Sequence, residues 1–508
     1  MEKARESPGY RGTLIDRLAL WVSPEWGYKR AAWRSAAQEF YDAGSRGRLN
    51  AGWTPVNANA EQVNGPQRDI IRARARDLER NSDISEAIIG PFERNVVGTG
   101  IRLQAKVLKG DEEDDDLNRR IEELWAEWCL PENCDITGAQ SFWEMQQMAV
   151  RRMRVDGGLF VVKVHLKNRE FPFCLQLREV DELDTSLTRL DSSGQNRIAG
   201  GIELDTYNRP VAYHFRKYSP DGFWAGQSER ITADRVLYLW KKTRPSQLRE
   251  VSPLASTLPR VRDVNEFVEA VSVKERIQAC LSAFITKNNP GSGMGRNLTG
   301  EKKADEPRKR MSPGMILELG PGEGVTAIQP ANQASNVRDF VGIQQRLAGA
   351  GQGLSYEAVS RDMSQVNYSS ARQGLLEDQR TYAMLQQYLI EHFCRPVYEE
   401  FLRAAVLKKQ LEIQDFFRER RRYTRHTFIT PGWSWIDPLK EVKANSEALI
   451  TGQDTLARIC AERGEDWRDV LKQRAAEQKL AMELGLTLSQ GGMSNEETPD
   501  GATDAKDS

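Results

Sequence analysis

The residues in this chain that could do chemistry are few, and each lacks the neighbours its chemistry requires. Nucleotide binding would need a glycine-rich loop ending in Gly-Lys-Ser/Thr, so that the lysine reaches the phosphates and the hydroxyl reaches magnesium. The nearest approach is Gly295-Arg296-Asn297-Leu298-Thr299-Gly300, which runs on into Glu301 and Lys302. A carboxylate there repels phosphate, and the segment follows a helical pattern rather than a strand. Cys129 and Cys134, spaced C-x4-C around Pro131, resemble half a zinc site, but the four histidines (165, 214, 392 and 426) supply no second pair at ligand spacing. The acidic run Asp111 to Asp116 has no companion motif and reads as a solvated surface loop between a strand and a helix at 117–129. Neither H-E-x-x-H nor G-x-S-x-G occurs. The expectation is a chain with no catalytic residues, no metal and no cofactor.

Charge narrows the function classes further. The 508 residues carry 72 Lys+Arg against 73 Asp+Glu, a formal net charge of −1. A protein that grips nucleic acid needs a basic surplus to neutralise phosphates, so any contact with DNA is expected to be local and weak. Two basic runs stand out: Lys302, Lys303, Arg308, Lys309 and Arg310, and then Arg418, Arg420, Arg421, Arg422 and Arg425. The bland reading of each is solvated charge; the sharper reading of the first is a docking surface for an acidic partner or for phosphates. Six cysteines at 129, 134, 174, 280, 394 and 460 form no even framework and read as reduced, buried thiols. No apolar run approaches a membrane span and the N-terminus lacks a signal-peptide core, so a soluble chain, cytoplasmic when made, is expected.

The elements that must position any site follow from periodicity. Residues 1–65 hold Trp21, Trp26, Trp33 and Trp53 among small and basic residues, with little periodicity. They read either as an arm docking on a neighbour or as a segment buried on the chain's own body. Residues 66–251 read as an α+β body. Asp83 with Glu86 opens a helix there, and Ile101, Leu103, Ala105 and Val107 alternate with polar residues as a half-buried strand does. Ser141 with Glu144 forms a capping box for a helix to about Val155. Strands are expected at 158–166, 173–179, 210–217 and 235–240. Ser252-Pro253 begins a helical region, 252–289, which Pro259 resets; Val261, Val264, Val268, Val271, Ile277, Leu281 and Phe284 keep one face apolar to about Lys287, a rod of roughly 40 Å. Residues 290–335 are an excursion rich in Asn, Gly and charge. A second rod at 336–353 is closed by Gly349, Gly351 and Gly353, and a long helix from about Ser370 to Leu407 is kinked at Pro396. Asp437 and Pro438 open a helical unit, 437–488, whose helices end near Gly452, Gly464 and Gly485. Residues 489–508 are acidic and small, the composition of a disordered tail.

Between the second rod and the long helix lies Tyr356 to Arg372, a polar, turn-prone connector that includes Arg361, Asp362, Gln365, Asn367 and Tyr368. A connector of this length inside a helical region is more often functional than idle. The competing view is a surface loop that simply joins two helices.

The order of several short blocks is more specific than any one of them. Arg244-Pro245, Ser252-Pro253-Leu254, Ser312-Pro313-Gly314-Met315, Pro321-Gly322-Glu323, Asn367-Tyr368-Ser369-Ser370-Ala371-Arg372 and the stretch Trp433 to Lys440 follow one another. Over roughly residues 66 to 487 this succession resembles the portal proteins of tailed phages, lambda family. The resemblance implies an α+β, mostly helical portal fold, with an α+β wing, long-helix stem, small clip and helical crown, assembled as a ring of usually twelve copies. It implies a wing at 66–251 and 370–436, stem helices at 252–289 and 336–353, a clip at 290–335, a tunnel loop at 354–369 and a crown at 437–488. Tyr356, Arg361, Gln365, Asn367 and Tyr368 would then face double-stranded DNA, and Lys302, Lys303, Arg308, Lys309 and Arg310 would meet the large subunit of terminase. The other implied partners are the chain itself, head-completion or connector proteins, and the major capsid or scaffold protein, with no membrane; the place is the portal vertex of the virion. A packaging-motor ATPase or nuclease, and a capsid-interior scaffold without a channel, stay as rivals.

Overall fold

The computed structural model describes residues 21–26, 28–29, 52, 54–110, 112–190, 196–218, 224–279, 283–287, 323–327, 337–364, 367–433 and 438–484. The chain divides into two units, Met1–Val63 and Asn64–Ser508. In the first, Trp21, Trp26 and Tyr28 lie on short helical turns and are exposed, Trp21 by 85%. Trp33 and Trp53 fall outside the described residues.

Helix α1 (Ala60–Asn81) is capped reciprocally: Asn59 Oδ1 accepts from Gln62 N at 2.9 Å, and Asn59 N donates to Gln62 Oε1. Its Arg68, Arg72 and Arg76 recur every fourth residue and so share one face. Helix α2 (Asp83–Phe92) begins one residue earlier than expected, because Ser82, not Asp83, is the cap; its hydroxyl accepts from Ser85 N. A wide π turn, Glu93–Val97, leads to strand β1 (Arg102–Ala105). The alternation read from sequence breaks here, since Gln104 is buried beside Ala105 and donates to Asp466 from the C-terminal helices. Both faces of β1 are covered, so period two no longer sorts inside from outside. The acidic run is also more ordered than a solvated loop. Glu112–Glu113 pair with Leu108–Lys109, and Asp114 caps α3 (Asp115–Trp128) by accepting from Leu117 N. Helix α4 (Phe142–Val155) carries the expected capping box, with Glu144 accepting from Ser141 N at 2.7 Å.

Strands β2 (Gly158–His165) and β3 (Phe173–Arg178) lie where periodicity places them. Strands β4 (Arg197–Ala199), β5 (Ile202–Leu204), β6 (Pro210–Tyr218), β7 (Trp224–Thr232) and β8 (Val236–Trp240) follow. They form antiparallel sheets in the orders β8-β2-β3 and β4-β5-β6-β7. Sequence reading missed β4, β5 and β7, which are short or polar and exist by pairing rather than by pattern. One core gathers Trp125, Trp128, Phe142, Phe173, Phe393 and Phe401 between α3, α4 and β3; a second joins Phe160, Tyr213, Phe215 and Tyr238 across the two sheets.

After a 3-10 turn capped by Ser252, α5 (Leu258–Ala279) takes the first rod, 22 residues and about 33 Å long. It is shorter than expected. Ala283–Lys287, including Phe284, is strand β9, paired with β10 (Glu323–Ala327) in the register Ala283↔Ala327. A partner 40 residues distant supplies those hydrogen bonds, which no local pattern announces. Helix α6 (Val337–Gln352) runs through Gly349 and Gly351 and stops at Gly353, whose φ of 74° is the left-handed geometry glycine tolerates. Gly349 is there for contact: a Cβ would meet Leu354 O and Val359 at 3.1 Å.

The connector contains a short helix, α7 (Tyr356–Ser360), where only loop was expected. Helix α8 (Tyr368–Leu389) passes into a π turn at Ile390–Cys394 and then α9 (Arg395–Leu407). Pro396 has no N–H for a carbonyl one turn back, and the helix widens into the π turn just before it, where sequence reading expected a kink. Strand β11 (His426–Ile429) pairs with β1, Arg102 opposite Ile429. Helices α10 (Pro438–Thr451), α11 (Leu456–Glu462) and α12 (Trp467–Glu483) complete the described chain. Gly452 and Gly464 end the first two with φ of 71° and 76°; Asp437, Gly485 and the acidic tail lie outside the described residues.

Candidate functional site

The connector is fastened at its base. Ser355 caps α7 by accepting from Ala358 N, while its own N and Oγ donate to the two carboxylate oxygens of Asp378 at 2.7 and 2.6 Å. Asp378 is buried on α8, and burial pushes its carboxyl up despite those two donors. The Arg346 guanidinium on α6 lies 4.5 Å from the centre of the Tyr356 ring, a cation–π contact joining rod to connector. Arg361 ends α7 with φ of 56°, a left-handed conformation uncommon outside glycine, and its side chain is exposed. Beyond it Asp362 accepts from Ser364 N at 2.9 Å and lies 3.7 Å from Arg338.

Asn367 turns out to be a helix cap. Its Oδ1 accepts from Ser370 N and from Ser370 Oγ, each at 2.8 Å, and so starts α8. Of the five residues expected to face DNA, Tyr356 is held by Arg346, Asn367 by its capping bonds, and Arg361 is exposed with no side-chain partner among the described residues. Gln365 and the side chain of Tyr368 lie outside the described residues. So do all five expected docking residues, Lys302, Lys303, Arg308, Lys309 and Arg310.

Sequence reading missed the joint behind the connector. Gln352, the last residue of α6, is buried and donates through Nε2 to Pro253 O at 3.1 Å and Thr257 Oγ1 at 2.7 Å. Arg154 from α4 donates to Gln352 Oε1 at 2.5 Å and lies 3.9 Å over the Phe92 ring. Its Nε has no hydrogen-bond partner among the described residues, and burial brings the guanidinium down to about 10. Both rods are thus rooted on one polar contact with the body. A neighbouring network fixes the chain just before it: Glu250 receives Arg72, Arg249 and the Tyr238 hydroxyl, while Arg68 donates to its carbonyl at 2.8 Å. Arg76 pairs with Asp156 at 2.7 Å and with Asp181. The i, i+4, i+8 spacing of the three arginines was the readable signal; Glu250, Asp156 and Asp181, which receive them, come from distant segments.

The cysteines behave as packing groups. The Cys134 thiol donates to Cys129 O and Gln140 O, and burial pushes it up to about 12. Among the described residues no group of three or more His, Cys, Asp or Glu is arranged to hold a metal ion, and no helix is long and apolar enough to cross a membrane.

The chain is 28% identical over 457 residues to the probable portal protein of Halomonas phage phiHAP-1, covering 86% of each. It is 21% identical to portal protein B of Escherichia phage lambda, covering 87% of this chain and 90% of that one. Among solved structures, a chain from the virion of a native gene transfer agent particle superposes with a TM-score of 0.41 at 10% identity, covering 72% of this chain and 91% of that chain. The family model for phage portal protein, lambda family, matches residues 46–386. The match takes in α1 to α7 and most of α8, and the chain belongs to that family of phage portal proteins.

Proposed function

We propose that this portal protein works as a non-enzymatic ring of identical subunits, of about twelve copies, at one vertex of the capsid. Double-stranded DNA passes through the ring during packaging and ejection. Membership of the lambda portal family is the observation that carries this reading. In it, the α+β body and α8–α9 form the wing, α5 and α6 the stem, residues 290–335 the clip, 354–369 the loop facing DNA, and α10–α12 the crown. The basic run at 302–310 meets the large terminase subunit, and other surfaces take head-completion proteins and the major capsid or scaffold protein.

Electrostatics favour a conduit over a clamp. Each firm Lys or Arg contact with phosphate adds a barrier to sliding, and a net charge of −1 over 508 residues gives no such grip. The geometry of the connector suits a braced loop: Ser355–Asp378 at one end and the Asn367 cap at the other hold it between two helices. A ring needs two different complementary patches on each subunit. Exposed apolar residues on both rods, Val268 on α5 and Ile343 on α6, are consistent with such patches.

Mass photometry with negative-stain imaging tests the proposal. The expected particle is a closed annulus near twelve times 57.6 kDa, about 690 kDa. A stable monomer or globular dimer at micromolar concentration would overturn it, and ATP turnover by the purified chain would favour a motor enzyme.

A further inference from the structure

Two grooves flank Arg372 on α8. The first, about 640 Å³, lies between α8, the segment Thr430–Trp433 and helices α10 and α11, with Leu376, Pro431, Trp433 and Ala461 among its lining residues. The second, about 390 Å³, lies under α7 and has Pro91, Ala358, Leu375 and Tyr382 in its walls. Arg372 borders both, and Arg94 and Arg361 stand at the second. Among the described residues none of these three guanidiniums has an ion pair or hydrogen bond. The indole Nε1 of Trp433 is likewise buried without an acceptor. Acids share both grooves: Glu357 and Asp378, the latter engaged by Ser355, line the second, Glu86 on α2 lies near Arg94, and Glu441 and Glu462 line the first beside Arg458.

We propose that this trough is the docking site of the chain's own C-terminal segment, residues 485–508. That segment offers Leu486, Leu488 and Met493 followed by Glu496, Glu497, Asp500, Asp504 and Asp507 against a single Lys506. Apolar residues suit the groove walls, and the acids suit Arg372, Arg361 and Arg94. The first groove sets Glu441 and Glu462 against Arg372 and Arg458, while the second sets Glu357 and Asp378 against Arg94, Arg361 and Arg372, so the acidic part goes toward α7 and the apolar part stays near the C-terminal helices. The last described residue, Leu484, ends the helical unit that forms one wall of the first groove, and it is 65% exposed. Twenty-four extended residues reach up to about 80 Å, while Arg372 to Gln386 spans only about 21 Å of helix. A DNA duplex fits the trough poorly, because its phosphates lie on a stiff convex surface and it has no apolar group for walls such as Leu375 and Tyr382.

Docking also has a consequence that rests on the portal reading. Arg361 lies on the loop assigned to face DNA, and an acidic segment seated on it keeps that guanidinium off phosphates.

The test uses a chain ending at Leu484 and a fluorescein-labelled synthetic peptide of residues 485–508, followed by anisotropy. The peptide is expected to bind the shortened chain, to bind the full-length chain at least tenfold more weakly because the trough is filled, and to lose affinity as salt rises. The double substitution Arg361→Glu with Arg372→Glu is expected to weaken binding at least tenfold, and Trp433→Phe, which keeps the ring and removes the N–H, a few-fold. No binding to the shortened chain, equal binding to both chains, or no effect of the arginine substitutions would overturn the proposal. Should the double variant fail to fold, the salt dependence and the two-chain comparison decide. Particle mass of the shortened chain is read separately: a closed ring that binds no peptide sinks the docking and leaves the portal reading standing.

Discussion

Trp128 in the body and Phe267 on the first rod show two ways of using an aromatic residue. Trp128 is fully buried, stacks on Phe173 at 5.4 Å, packs against Trp125 at 4.9 Å and donates its N–H to Phe173 O at 2.8 Å. Phe267 has Phe340 of α6 at 4.5 Å as its aromatic partner among the described residues, while Val268 and Val273 beside it and Ile343 and Leu347 on α6 face outward. The body therefore closes its core within one chain. The rods leave apolar surface uncovered and gain stability only when another surface covers it.

The sharpest way to break this contrast is Trp128→Ala. It removes a large side chain from a closed core and orphans a carbonyl, at a cost of about 3–5 kcal/mol; denaturant titration should show a collapsed midpoint or no soluble protein. Glu250→Ala comes next. It takes the Glu250 carboxylate from buried Arg249 and leaves Arg72 with Asp69 and Asp181, about 3 kcal/mol, and should loosen α1 and the root of α5 in hydrogen exchange. Phe267→Ala should cost the isolated chain only about 1–2 kcal/mol yet prevent ring closure in mass photometry; normal rings would mean the rods are not the contact surface.

Two smaller effects refine the picture at single groups. Asn367→Ala should cost about 1 kcal/mol through loss of the α8 cap, and Asn367→Ser should restore it. Packaging defects in both variants would mark the amide as a DNA contact rather than a cap. Glu203 is held down at about 2, first by the hydrogen bond from Arg230. A carboxyl depressed in the folded state stabilises it above its unfolded value of about 4.5. That contribution is lost as pH falls toward 2. Arg230→Ala should lower stability at pH 7 and leave it little changed near pH 2, which flattens the acid side of a thermal-stability profile.

Legibility varied with the range of the interaction involved. The capping box at Ser141–Glu144, the helix irregularity at Pro396 and the glycine stops at 452 and 464 were readable because each depends on residues within one turn. The helical reading of Ala283–Lys287 failed because its competitor, pairing with Glu323–Ala327, is formed by residues some 40 positions away. The glycines at 349 and 351 looked like a helix stop, whereas Gly349 serves a close approach of Leu354 and Val359. In the candidate site, the connector's location was legible from its polar, turn-prone composition. The roles of its residues were not: Tyr356 under Arg346 emerges only once α6 and α7 are placed, while the Asn367 cap, local to Ser370, lay within one turn and was still passed over.

By itself the sequence determined the elements whose causes are local, namely caps, turns and apolar periodicity, together with a net charge unsuited to gripping DNA and an order of blocks shared with one family. Tertiary structure alone decided which distant groups meet Arg68, Arg72 and Arg76, why Arg154 is buried with no carboxylate partner among the described residues, and how Gln352 roots both rods at one point. The physical reason is range. Periodicity and capping act within a few residues, while the partner of a buried charge or an edge strand is fixed only when remote segments are brought into contact.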